Sequence, residues 1–93
     1  MSFDKDGAVQ KAKEDLADRL SLSEDEIETE SVGEQDFPDM SLGAPVEDEM
    51  SAQMIASGWR INLSVDGEKY EYRADKYQLR LVGFEGKNHV IVS

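Results

Sequence analysis

GWRINLSVDGEKYEYRA, residues 58–74, decides the fold. Trp59, Ile61, Leu63 and Val65 alternate with Arg60, Asn62 and Ser64. That period of two belongs to a strand with one buried face. Asp66-Gly67 follows, the dipeptide a type I′ turn favours because both central residues need positive φ. A two-residue loop fixes the register of the strands it joins. Val65 then faces Glu68, Leu63 faces Tyr70, Ile61 faces Tyr72, and Trp59 faces Ala74. Apolar side chains meet along one face. On the other, Asn62 meets Glu71 and Arg60 meets Arg73. Like charges placed opposite each other repel, so Glu71 or a loop carboxylate is expected between the two arginines.

Working outward toward the C-terminus, Asp75-Lys76 opens a turn and YQLRLVGF (77–84) reads as a further strand. EGKN (85–88) is a turn, and HVIV (89–92) a short last strand. His89, Val90, Ile91 and Val92 make an apolar edge open to pairing with another chain, a candidate for strand addition.

Toward the N-terminus, residues 1–5 read as a flexible end and residues 6–20 as a helix. Val9, Ala12, Leu16 and Leu20 recur at helical spacing, Ala8 and Ala17 widen the stripe, and Asp4 or Asp6 can cap the first turn. A stripe so rich in alanine suits close packing on a flat sheet. Ser23 and Glu26 match a capping box around one helical turn, with Leu22 and Ile27 turned back to the core. Residues 27–35 predict a first strand with a bulge at Val32-Gly33. A long connection over 36–57 follows, in which EDEMSAQMIA (47–56) suits a short helix or an irregular strand. The expected architecture is a single α+β domain over 1–93. One N-terminal helix packs on a 3–5-stranded antiparallel meander, and the opposite sheet face is more polar.

The chain has 93 residues, 21 acidic and 10 basic, for a formal net charge of −11. One domain fits that length. Phosphate recognition needs a basic patch, so nucleic acid is not an expected partner, nor is an anionic membrane surface. No cysteine is present, which removes disulfides, thiol nucleophiles and thiolate metal sites. No apolar run approaches the roughly 20 residues of a membrane helix, so no membrane insertion is expected. MSFDKDG lacks a signal-peptide hydrophobic region: the chain is either cytoplasmic or exported with its leader removed. The acidic excess suits a basic partner, or adaptation to high salt. Carboxylates spread over helix, loops and strands favour salt adaptation, since at molar salt the Debye length is about 3 Å and self-repulsion costs little.

AKEDLADRLSLSEDEI (12–27), DFPDMSLGAP (36–45) and GWRINLSVDGEKYEYRAD (58–75) together resemble a family of small uncharacterised bacterial domains. Those carry an alanine-rich helix, a "DEI" turn, a W-P-D-x-S-L-G-C-P loop and a G-[YW]-R-I-x-L hairpin. In general shape they are similar to PepSY-like modules. Pro38, Asp39, Ser41, Leu42, Gly43 and Pro45 fit the loop; Phe37 stands for its tryptophan and Ala44 for its cysteine. The resemblance implies an α+β module, often exported or lipid-anchored. It implies no known activity; for PepSY-like modules an inhibitory or regulatory binding role is the proposal.

The DFPDMSLGAP loop supports two readings. Pro38 fixes φ, Asp39 and Ser41 can bond nearby backbone, and Phe37 and Leu42 can plug the end of the sheet. That describes a tightly folded corner. The other reading is a rigid binding surface of Asp36, Phe37, Asp39, Ser41 and Leu42. Ser41 lacks a nucleophile elbow, and the single histidine, His89, is far along the chain, so a small hydrolase is the weakest alternative. DKDG (4–7) fails as a calcium loop because Lys13 falls where a glutamate belongs. Glu47, Asp48 and Glu49 with Asp36 and Asp39 match no known cation loop and read as solvated charge, so no metal site is assigned. Trp59, Tyr70 and Tyr72 read as core under the helix. The reading is a non-catalytic binding or regulatory module without cofactor, monomeric or weakly dimeric, with an unidentified protein partner. The alternative is a structural accessory domain with no ligand of its own.

Overall fold

A computed structural model describes residues 3–92. Helix α1 (Lys5–Leu20) leads, followed by a single 3-10 turn (Glu24–Glu26). Strands β1 (Glu28–Phe37), β2 (Ala56–Val65), β3 (Glu68–Ala74), β4 (Leu79–Phe84) and β5 (Lys87–Val92) complete the chain. The strands form one antiparallel sheet in the order β1-β2-β3-β4-β5. The fold is α+β, a meander with one helix on one face.

The β2–β3 hairpin has the register expected from its turn, from Val65 opposite Glu68 to Trp59 opposite Ala74. Asp66 (φ 50°) and Gly67 (φ 83°) both take the left-handed conformation that the turn requires. Glu71 bridges the facing arginines, 3.1 Å from Arg60 Nε and 2.6 Å from Arg73 Nε. Gly58 is required for a different reason. A Cβ there would collide with the Ala74 carbonyl oxygen.

Asp4 caps α1, its carboxylate accepting from the Gly7 N–H at 2.7 Å. The helix buries Ala8, Ala12, Leu16 and Ala17, with Val9 and Leu20 at the margins. Small side chains let it lie close over Ile61, Leu63, Tyr72, Leu79 and Leu81. Trp59 and Tyr70 pack against the same core, half-buried. The Tyr72 hydroxyl donates to Asp15 at 2.8 Å, and Arg19 pairs with the same carboxylate, so the helix is tied to the sheet by a polar link as well. Ile27 is buried and Leu22 packs beside it; the Glu26 carboxylate accepts from the Ser23 N–H as the capping box requires.

Several boundaries differ from the sequence expectation. Helix α1 starts at Lys5 rather than Asp6, and the Phe3 N–H donates to the Lys76 carbonyl; residues 1 and 2 lie outside the described residues. Strand β1 runs through Asp36 and Phe37, which pair with Ser57 and Ala56, so the connection is 38–55 rather than 36–57. Pro38 has no N–H to continue the ladder. The bulge falls at Glu30, between Thr29 and Ser31, not at Val32-Gly33. Val32 must face Ile61 on the helix side, so the extra residue has to come before it. Residues 47–55 contain no helix. Strand β4 starts at Leu79, because the Asp75 carboxylate accepts from the N–H groups of Tyr77 and Gln78 and holds both in the turn. Strand β5 starts earlier, at Lys87, after a tight Glu85-Gly86 turn.

Candidate functional site

The sheet face away from α1 carries a row of three arginines. Arg60, Arg73 and Arg80 sit on neighbouring strands in register. Three guanidinium groups side by side need acceptors. Glu71 serves Arg60, and the 38–55 connection, folding over this face, supplies acceptors to Arg73 and Arg80. Arg73 Nη1 donates to the Leu42 carbonyl at 2.9 Å, and Arg80 Nη1 to the Ala44 carbonyl at 3.1 Å. Arg80, only 4% exposed, also meets both oxygens of Glu49, at 2.5 and 2.6 Å. Gln78 donates to the Met40 carbonyl and Asn88 to that of Pro45. Beneath the loop, Phe37, Leu42 and Ala56 form a second small core, with Arg73 over the Phe37 ring at 5.7 Å. The opposite face is therefore polar only in part: one end is plugged.

Within the plug, Asp39 Oδ1 accepts from the Ser41 hydroxyl at 2.5 Å and from the N–H groups of Ser41 and Gly43. The Ser41 hydrogen bond, helped by the Gly43 N–H, holds the Asp39 carboxyl below its ordinary range. The bidentate Arg80 does the same for Glu49. Burial would raise Glu71, but Arg73 and Arg60 outweigh it and leave that carboxyl lowered too. Burial, then the Asp15 carboxylate, pushes the Tyr72 phenol far up, so it stays a donor.

The predicted site residues separate. Phe37, Asp39, Ser41 and Leu42 come together in the plug, with Ser41 1% exposed and Phe37 and Leu42 equally enclosed. Asp36 lies on the other sheet face, where it accepts from the Ser57 hydroxyl at 2.8 Å. The Ser41 hydroxyl is engaged with Asp39, while His89 Nε2 sits 3.2 Å from the Phe84 carbonyl. Of the acidic set weighed for a cation, Glu49 is spent on Arg80 and Asp39 on loop N–H groups; among the described residues no three such side chains are grouped to hold a metal ion.

At the edges, β5 pairs with β4 through two register breaks, one near Ile91 and one near Gly83. Val90 is exposed, while Ile91 and Val92 pack against the main core. Strand β1, at the other edge, is exposed along nearly all its length. A cleft of about 380 Å³ opens beside it, lined by Glu34, Asp36, Ser57, Gly58, Trp59 and Lys76. Around the corner Met54 (64% exposed), Ile55 (73%) and Tyr77 (66%) surround a hollow of about 250 Å³ that also touches Met40 and Lys76. Sequence reading missed Met54 and Ile55 as a surface. Their apolar character fits a core residue as well as an exposed one, and only the path of the loop tells them apart.

Residues 9–82 match the family described as Domain of unknown function (DUF8738). The chain belongs to that family. The matched span runs from the first turns of α1 into β4, so it contains the plug, the β1 edge and the Asp66-Gly67 turn; β5 lies beyond it. No curated protein and no solved structure matches the chain. No helix among the described residues of this DUF8738 domain is long and apolar enough to cross a membrane. The family description carries no activity, so function must be argued from the surfaces.

Proposed function

We propose that this DUF8738 domain is a non-catalytic module that binds a protein partner, adapted to a salty environment. One observation carries the reading. Met54, Ile55 and Tyr77 are large apolar side chains left in solvent together, at a concave corner. Single exposed apolar residues are ordinary; a contiguous group with a hollow marks a contact surface. The regulatory element rests on the resemblance of the DFPDMSLGAP loop and the hairpin to PepSY-like modules. Salt adaptation rests on the net charge of −11 and the spread of carboxylates along the chain.

The test is an Ile55→Glu, Tyr77→Ser double variant. Affinity capture from native lysate at high salt, read side by side with the unaltered domain, should lose a specific band while the thermal midpoint stays put. Identical captured sets would remove this corner as the contact surface. The exposure of Val90 favours a second place for a partner, the β5 edge. There an Ile91→Pro variant should lose capture with its helix signal unchanged, and unaltered capture removes that site. The closed plug favours the accessory-domain alternative, which predicts that neither variant changes anything bound.

A further inference from the structure

The acidic charge on β1 meets no cation among the described residues, and of its carboxylates Asp36 accepts only from the neighbouring Ser57 hydroxyl. Glu28, Glu30, Glu34 and Asp36 lie on this strand, which carries no lysine or arginine. Among the described residues none of these four carboxylates forms an ion pair. Strand β1 ends the sheet and pairs only with β2. No backbone bond from outside the sheet reaches it among the described residues. Its register is unbroken from Ser31 to Phe37. An unbroken edge presents a regular row of unpaired N–H and C=O groups, which is a template for one more strand. The β5 edge, with its two breaks, presents a less regular row.

We propose that β1 is a docking edge for an extended basic segment of a partner protein, which adds to the sheet outside β1. The proposal rests on the binding-module reading and gives it a partner chemistry. Glu34 and Asp36 face Trp59 and Ser57 in register, so both project to the helix side beside the cleft. Every second side chain of an added strand points to that side. A lysine or arginine there sets its charge against the two carboxylates and lays its stem along Trp59, an aromatic surface that attracts cations. The acidic row also decides who cannot bind. A second copy of this chain would bring carboxylate against carboxylate on a molecule already at −11. The occupant is therefore basic and foreign.

The test uses the full chain, labelled with 15N, and three short synthetic peptides. One alternates lysine and valine, one alternates glutamate and valine, and one is the lysine peptide with alternate backbone nitrogens methylated. The lysine peptide should shift the amides of Ser31 to Asp36 and the Trp59 indole; the glutamate peptide should not. Methylation removes the backbone donors while keeping the charge, so it should weaken binding at least about tenfold. A Glu34→Lys, Asp36→Lys variant should exchange the preference between the first two peptides. Equal binding of the methylated peptide would mean charge attraction alone and overturn the proposal, as would β1 amides that do not move. Should β1 stay silent while the Ile55→Glu, Tyr77→Ser variant still loses its captured protein, this inference falls and the binding-module reading stands. Should β1 respond while that variant captures normally, the apolar corner falls instead.

Discussion

Arg80 is nearly enclosed between the buried Leu79 and Leu81 of β4, and is tolerated because Glu49 and the Ala44 carbonyl satisfy it. Removing the arginine strands its partners. Arg80→Ala should cost about 3 kcal/mol by urea unfolding at neutral pH. Glu49→Gln keeps the shape but loses the charge, and its cost should depend on pH with a definite sign. The folded carboxyl titrates below its ordinary value, so its contribution is complete above about pH 4.5 and disappears as pH falls through the lowered folded value. Unfolding curves of the variant and the unaltered chain should therefore converge on acidification. A gap that stays constant from neutral pH to about pH 3 would contradict the role given to the Arg80 pair. At Gly58 the constraint is steric: alanine there must push β2 away from the Ala74 carbonyl, and Gly58→Ala should destabilise by about 2 kcal/mol or more.

Among the elements, the β2–β3 hairpin was legible residue by residue, because a two-residue turn leaves no freedom in register. Strand β1 was legible only in part. Its helix-side residues change phase between Thr29 and Val32, and since Glu30 and Ser31 are both polar, alternation alone cannot say which one is extra. Gly33 drew the bulge to the wrong place. The 38–55 plug was less legible still. Local turn chemistry at Asp39 was there to read, but the docking comes from Arg73, Gln78, Arg80 and Asn88, distant in sequence and without local periodicity. The apolar corner was hidden for the same reason, since it depends on where that loop runs. Helix α1 was predicted to lid the sheet through a narrow stripe, and Leu16 is its one large, fully enclosed side chain. Leu16→Ala should cost about 3 kcal/mol, in the range for a cavity that alanine-rich surroundings cannot fill. A change near zero, by circular dichroism in urea, would mean that α1 does not hold the sheet.

For the whole molecule, a net charge of −11 is a source of self-repulsion. Raising potassium chloride from about 0.1 M to about 2 M should raise the thermal midpoint, since screening removes self-repulsion while the enclosed Arg80 pair is little affected. A midpoint that falls or stays level would sink the salt-adaptation proposal. The strand order has a kinetic consequence. Every strand lies beside its neighbour in the chain, and only the β1–β2 pairing must wait for a long connection to close. Loop-closure entropy is therefore met in small instalments, starting at Asp66-Gly67. Topologies dominated by such short-range pairings refold sooner than sandwiches of similar size, so stopped-flow refolding should finish within milliseconds, β1 closing last.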